Sequence, residues 1–141
     1  GTGLSPEPTS IGNAATIEFI TPLRLKNGGK YVSKPSFQEI IRAILRRTSL
    51  LVRGYCGAEL SLPYKSIIES ARSVKLVSAG TNRVEIERYS SRQNAKIPLI
   101  GFLGLLRFEG DMNQFAAILD AGSHIHIGGA TAFGFGKYII H

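Results

Sequence analysis

The stretch KIPLIGFLGLLRFEG, residues 96–110, lacks the apolar–polar alternation of a half-buried strand. A strand here is apolar on both faces and must lie inside a sheet that is covered on both sides. Pro98 fits only near its beginning, because proline cannot donate to a ladder. The run is broken by Gly101 and Gly104 and is far shorter than the roughly 18 residues that a membrane-spanning helix needs. No membrane partner is therefore expected.

The flanking sequence supplies the rest of such a sheet. In ATIEFITPLRLK, Ile17, Phe19, Leu23 and Leu25 share one face, while Glu18, Arg24 and Lys26 share the other, which reads as a strand with a basic end. NGGKYVSKP reads as a loop. SFQEIIRAILRRTSLLVRG then predicts a helix with a Ser36–Glu39 capping box and Gly54 as its stop. Phe37, Ile40, Ile41, Ile44, Leu45 and Leu51 or Val52 form its buried stripe, and Arg42, Arg46, Ser49 and Arg53 form another. Such a basic row is either a solvated face or a partner's contact line.

A short helix is expected over Tyr64–Ser73, then a strand from Val74, a turn at TNR, and a strand segment VEIERYSSRQ. In that segment Val84 and Ile86 share a face that continues to Arg88, Ser90 and Arg92. Asp111 and Gln114 suggest a second capping box, with Met112, Phe115, Ile118 and Leu119 inward and Gly122 as the stop. The strand-like HIHI, a glycine loop and the strand KYIIH close the chain. The resulting order, strand–helix–strand–strand–helix–strand, is the split βαβ, ferredoxin-like α+β arrangement: an antiparallel sheet with both helices on one side. The helices then cover one face only. A partner domain, a second copy or a folded-back glycine loop must cover the other. Phe102 and Phe108 share a face, but with Ile100 and Leu106 beside them and without an RNP-type sequence they do not read as a base-stacking platform.

At 141 residues the chain has the length of one domain. It opens without Met and without the layout of a signal peptide, so residues 1–14 read as a linker or leader and 15–141 as the folded domain. Cys56 is the single cysteine, which excludes an internal disulfide framework or a cysteine-based zinc site and suggests a cytoplasmic location. Seventeen Lys and Arg against ten Asp and Glu give a net charge of +7, an excess that attracts polyanions such as nucleic acid.

HIHIGGATAFGFGKY concentrates Gly128, Gly129, Gly134 and Gly136 before the last strand. A dinucleotide fingerprint needs a third spaced glycine and a following helix, and neither is present. A Walker loop needs Gly-Lys-Ser/Thr opening a helix, and Gly136-Lys137-Tyr138 does not supply it. Two readings remain. The loop can offer backbone N–H groups to phosphate, with Thr131 as hydroxyl donor and Lys137 as cation, or it can pack over the sheet through Phe133 and Phe135.

The ending G-x-T-x-F-G-x-G-K-Y, the segment RYSSRQNAKIPLIGFLGLLRFEGDMNQFAAIL and the opening FITPLRLKNGG resemble the C-terminal half of the CRISPR-associated repeat-RNA endoribonucleases, members of the glycine-loop, ferredoxin-like RAMP superfamily. The resemblance runs from about Ile17 to the end. It implies an RNA-binding C-terminal domain of a two-domain enzyme that cuts precursor CRISPR RNA within repeats. The reaction is metal-independent: the 2′-hydroxyl attacks the adjacent phosphate and leaves a cyclic phosphate. The implied partners are CRISPR repeat RNA and an N-terminal ferredoxin-like half, with a second copy or CRISPR effector subunits as further possibilities. No cofactor and no metal are implied. Gly128, Gly129, Thr131, Gly134, Gly136 and Lys137 match the loop that faces RNA, although relatives often carry Lys where Gly129 stands. Arg24, Lys26, Arg88 and Arg92 are the expected phosphate contacts.

The family's catalytic histidine generally belongs to the N-terminal half, and no residue here matches it by motif. His124 and His126, two apart and on one face of a strand, are the candidate catalytic residues if this chain cuts RNA alone. A different class of function, a non-catalytic structural subunit whose sheet docks protein, stays open.

Overall fold

A computed structural model describes residues 13–56, 63–131 and 134–141, with the backbone alone at 50–56 and 90. The elements are β1 (Ala14–Leu23), β2 (Lys26–Asn27), β3 (Lys30–Tyr31), α1 (Phe37–Cys56), α2 (Tyr64–Ser70), β4 (Lys75–Ser90), β5 (Ala95–Glu109), α3 (Ala116–Ser123) and β6 (Tyr138–Ile140). Four strands form one antiparallel sheet in the order β4-β5-β1-β6, with α1 and α3 in the two crossovers. This is the ferredoxin-like α+β fold.

Helix and sheet meet where the patterns predict. Ile17, Phe19 and Leu23 of β1, Leu106 and Phe108 of β5, and Phe37, Ile40, Ile41, Ile44 and Leu45 of α1 are all buried. The Phe37 ring lies 5.3 Å from Phe108 and 5.2 Å from Phe115, both edge-on, so one aromatic side chain ties α1 to the sheet and to the segment entering α3. The capping box forms: Glu39 N–H donates to Ser36 Oγ at 3.1 Å, and Ser36 N–H donates to Glu39 Oε1 at 2.9 Å. At the far end Tyr138 of β6 donates from its hydroxyl to Leu119 O at 2.7 Å. Burial, reinforced by Asp120, pushes that phenol well above its ordinary range, so it stays a donor at any ordinary pH.

Several expectations change. α1 continues through Gly54 to Cys56, because tertiary packing of the helix outweighs the roughly 1 kcal/mol that an internal glycine costs. The side chains of Leu51, Val52 and Arg53 lie outside the described residues, as does Phe133. NGGK is a tight hairpin between β2 and β3, with Gly28 and Gly29 both at positive φ (62° and 84°), the geometry of a two-residue type I′ turn. TNR is strand: Thr81, Asn82 and Arg83 pair with Gly104, Leu103 and Phe102, so the ladder overrides a turn-like composition. β4 and β5 thus pair over their whole length. Beyond Phe102, where β1 ends its pairing, they project as a two-stranded arm with its turn at residues 91–94.

Asp111 accepts from Asn113 N–H at 3.2 Å, and a 3₁₀ turn over Asn113–Phe115 precedes α3, in place of a second capping box. Gly122 lies inside α3, where a Cβ would strike the Tyr138 hydroxyl and Ile44; its small size serves packing and not termination. HIHI is irregular, not strand. Phe108 lies in the core, on the helix side of the sheet. On the opposite face Ile20, Leu105 and Ile139 are exposed, brought together by the pairing of Glu18 with both Leu105 and Ile139.

Ser36→Ala removes the cap acceptor. It should cost about 1 kcal/mol, read as a fall in Tm of about 4 °C by thermal unfolding.

Candidate functional site

The end of β1 and the glycine loop are bound backbone to backbone. Gly129 N–H donates to Arg24 O at 2.8 Å, Gly136 N–H to Pro22 O at 2.8 Å, and Ile127 N–H to Gly136 O at 3.1 Å. Gly128 sits at φ +82° so close to Arg24 that a Cβ would lie 2.7 Å from the Arg24 carbonyl oxygen, and a Cβ on Gly136 (φ +88°) would fall inside the Ile127 backbone. Gly134 N–H and Phe135 N–H donate within the loop, to Thr131 O and Ala130 O. These five amides are therefore already committed inside the fold. Phe135 is buried and closes over Gly101 of β5 together with Pro22. The loop thus covers that part of the doubly apolar strand and leaves Leu105 open.

This clasp fixes Arg24. Its guanidinium donates to the Tyr31 hydroxyl at 2.7 Å and lies 4.9 Å from the ring centroid, while Lys26 Nζ lies 5.0 Å from the same ring. The β2–β3 hairpin exists at this point to return Tyr31 against both cations. Facing them is α1, and between lies a cleft of about 600 Å³ lined by Arg24, Lys26, Arg42, Arg46, Arg47 and Gly128, with Leu25, Asn27, Glu39, Ala43 and Gly129 completing its wall. Five cations meet one carboxylate there. That carboxylate, Glu39, is engaged by Ser36 N–H and by Asn27 Nδ2 (3.4 Å to Oε2). Two guanidinium nitrogens, Arg24 Nη1 and Arg47 Nε, are buried without an acceptor. An orphaned donor of this kind costs about 1–3 kcal/mol, which an incoming anion would offset.

Of the residues singled out in the sequence, Arg24, Lys26, Gly128 and Gly129 come together at the cleft. Arg42 and Arg46 of the basic helical row join them, as does Arg47, which the sequence did not single out. That row has the same pattern as an ordinary solvated face. Arg88 lies on the β4–β5 arm and Arg92 in its turn, and neither lines the cleft. Lys137 Nζ donates to Ser123 O at the C-terminal end of α3, and Lys137 N–H donates to Thr21 Oγ1 at 2.8 Å. Its charge thus complements a helix terminus. Thr131 is half-buried beside residues 132–133, which lie outside the described residues.

The two histidines do not share a strand face. His124 follows α3 and is largely exposed, 3.7 Å from Asp120. His126 Nδ1 lies 3.1 Å from Gly134 O and 3.0 Å from Phe135 O. Carbonyls only accept, so Nδ1 carries the proton and the ring staples the glycine loop. Among the described residues no three His, Cys, Asp or Glu side chains cluster as metal ligands, and no helix is long and apolar enough to cross a membrane.

The family model for the CRISPR-associated endoribonuclease Cas6 matches residues 17–138. The chain belongs to the Cas6 family. No curated protein sequence matches. Solved Cas6 structures share the fold of this Cas6-family chain. A Cas6 (TTHB231) product complex superposes with a TM-score of 0.65 at 15% identity over 92% of this chain and 51% of that one. A Cas6 (TTHA0078) product complex gives 0.58 at 16% identity over 91% and 51%. The Thermus thermophilus Cas6 (TTHB231) gives 0.59 at 15% identity over 92% and 54%. The chain spans about half the length of these Cas6 proteins.

Gly136→Ala combines a positive φ with a backbone collision and should cost more than about 3 kcal/mol, read as loss of a folded transition at 37 °C. Gly134→Ala, at φ +87° but with open space around it, should cost only about 1 kcal/mol. Equal losses for the two would mean that the loop does not seat against Ile127.

Proposed function

We propose that this chain is the RNA-binding C-terminal half of a CRISPR precursor-RNA endoribonuclease that cuts within repeats without a metal ion. The observation that carries the reading is the cleft: five cations around one engaged carboxylate, with two guanidinium nitrogens still lacking acceptors, in a member of the Cas6 family. Arg and Lys so placed suit phosphate oxygens, which guanidinium forks bind bidentately. Arg88 and Arg92 on the projecting arm would add phosphate contacts. Lys137, Thr131, Gly134 and Gly136 serve the RNA indirectly on this reading, by holding the loop against β1.

In the reaction the 2′-oxygen attacks phosphorus as the bond to the 5′-oxygen breaks. A base takes the 2′-hydroxyl proton, an acid protonates the departing oxygen, and a 2′,3′-cyclic phosphate results. His126 has one ring nitrogen committed to the loop, and His124 lies beside Asp120 at the end of α3. Neither lines the cleft, so the reading puts base and acid in an N-terminal half. That half would dock on the exposed Ile20, Leu105 and Ile139. The same three residues support the second reading, a non-catalytic subunit whose sheet binds protein, whether a second copy or other CRISPR effector subunits. Either way the protein would act in the cytoplasm, in antiviral defence.

RNA binding should weaken steeply with salt, the log–log slope changing by about 0.7 per phosphate contact. Arg88→Ala with Arg92→Ala should lower RNA affinity, whereas a protein-docking subunit would be indifferent to the pair. In EDTA, a repeat hairpin should be cut when this chain is fused to its N-terminal half and left intact by the chain alone. Cutting by the chain alone, abolished by His126→Ala, would return the chemistry to this half.

A further inference from the structure

We infer that the cleft between α1 and the end of β1 takes a single-stranded stretch of RNA and not a paired stem; the inference rests on the RNA-binding reading above. Three observations converge on it. The first is size: about 600 Å³ is within the range of about 300–1,000 Å³ that encloses a small ligand, room for one or two nucleotides and too little for a helix two strands wide.

The second is the spacing of the charges. Arg42 and Arg46 are exposed and four residues apart, on one face of α1 and about 6 Å apart along its axis. Among the described residues neither has a carboxylate partner. A strand laid along α1 meets them in succession, as the backbone-tracking grooves of single-strand binders do.

The third is depth. Arg24 and Arg47 hold their unpartnered nitrogens below the surface. Phosphates fixed on the outside of a rigid duplex stay at the rim, near Arg42 and Arg46. A flexible single strand can turn a phosphate inward toward Arg24 and Arg47. Arg24 is held for that contact by Gly129 and Tyr31 and needs little ordering on binding. All of these contacts are to the backbone, so the cleft accepts unpaired RNA with little regard to base.

The test compares three RNAs in binding titrations with the chain and with Arg42→Ala/Arg46→Ala: an oligouridine of about ten nucleotides, a blunt G·C-rich stem-loop, and that stem-loop carrying the oligouridine as a 5′ overhang. Both substituted residues are exposed, and an unchanged Tm confirms that the variant folds. The variant should lose about 10–100-fold in affinity for the oligouridine and for the overhang RNA, while the blunt stem-loop, which meets these two residues only at the rim, should lose less than about 5-fold. Its salt slope on oligouridine should fall by about 1.4, two contacts of 0.7 each. Equal losses on blunt and unpaired RNA, or no loss on either, overturn the single-strand assignment and leave the RNA-binding reading standing. A parent chain that binds none of the three overturns the RNA-binding reading and this one with it.

Discussion

The closeness with which the glycine loop approaches the end of β1 governs the rest of the molecule. Pro22 and Arg24 offer carbonyl oxygens that Gly136 and Gly129 reach at 2.8 Å, a contact that side chains at Gly128 or Gly136 would block. Each such hydrogen bond adds only about 1 kcal/mol to stability. Together, however, they determine where β1 stops being a sheet strand and becomes the wall of a cleft. The register shift between Phe19 and Leu23 occurs in the same segment. β1 bends there before it pairs again at Leu23 with Phe102, and Phe135 of the loop closes over Gly101 together with Pro22 and Leu23.

From that bend the electrostatics follow. A regular strand would carry Arg24 and Lys26 into solvent, where their charges would be well screened. The clasp and the short β2–β3 hairpin instead hold both against Tyr31, facing three arginines of α1. Like charges gathered in this way repel one another, and among the described lining residues only Glu39 offsets them. The arrangement costs stability in the free protein, a cost that an entering anion would offset. Functional sites often carry such a local penalty while the surrounding fold, here the Phe37–Phe108–Phe115 cluster and the capped α1, supplies the stability.

Wherever the core imposes a period, the fold was legible in the sequence. The α1 stripe, the Ser36–Glu39 box and the β1 alternation have direct physical meaning, and each sits where the pattern placed it. The misreadings fall where composition and tertiary context disagree. TNR has the residues of a turn but lies in a ladder whose partner strand supplies its hydrogen bonds. Gly54 and Gly122 look like helix stops; α1 continues through the first, and the second exists because Tyr138 and Ile44 leave no room for a side chain. HIHI alternates like a strand, yet His126 points its Nδ1 at the loop carbonyls of Gly134 and Phe135, which a sheet position would not permit.

The candidate site was half legible for a related reason. Arg24 and Lys26 stood out because a strand ended in positive charge, and the glycines because nothing else explains four of them before a closing strand. Arg42 and Arg46 stood out only as a basic row with two readings, a solvated face or a partner's contact line, and Arg47 did not stand out at all, because the helix's apolar face already accounts for its presence. Only the fold shows that the basic face looks across a cleft at Arg24. Lys137 is the reverse case: next to the glycines in sequence, it spends its charge on the end of α3. Proximity to a motif is therefore a poorer guide to a charge's role than what its terminal atoms face, and for a phosphate-binding surface the useful quantity is the number of cations that share one opening without carboxylate partners.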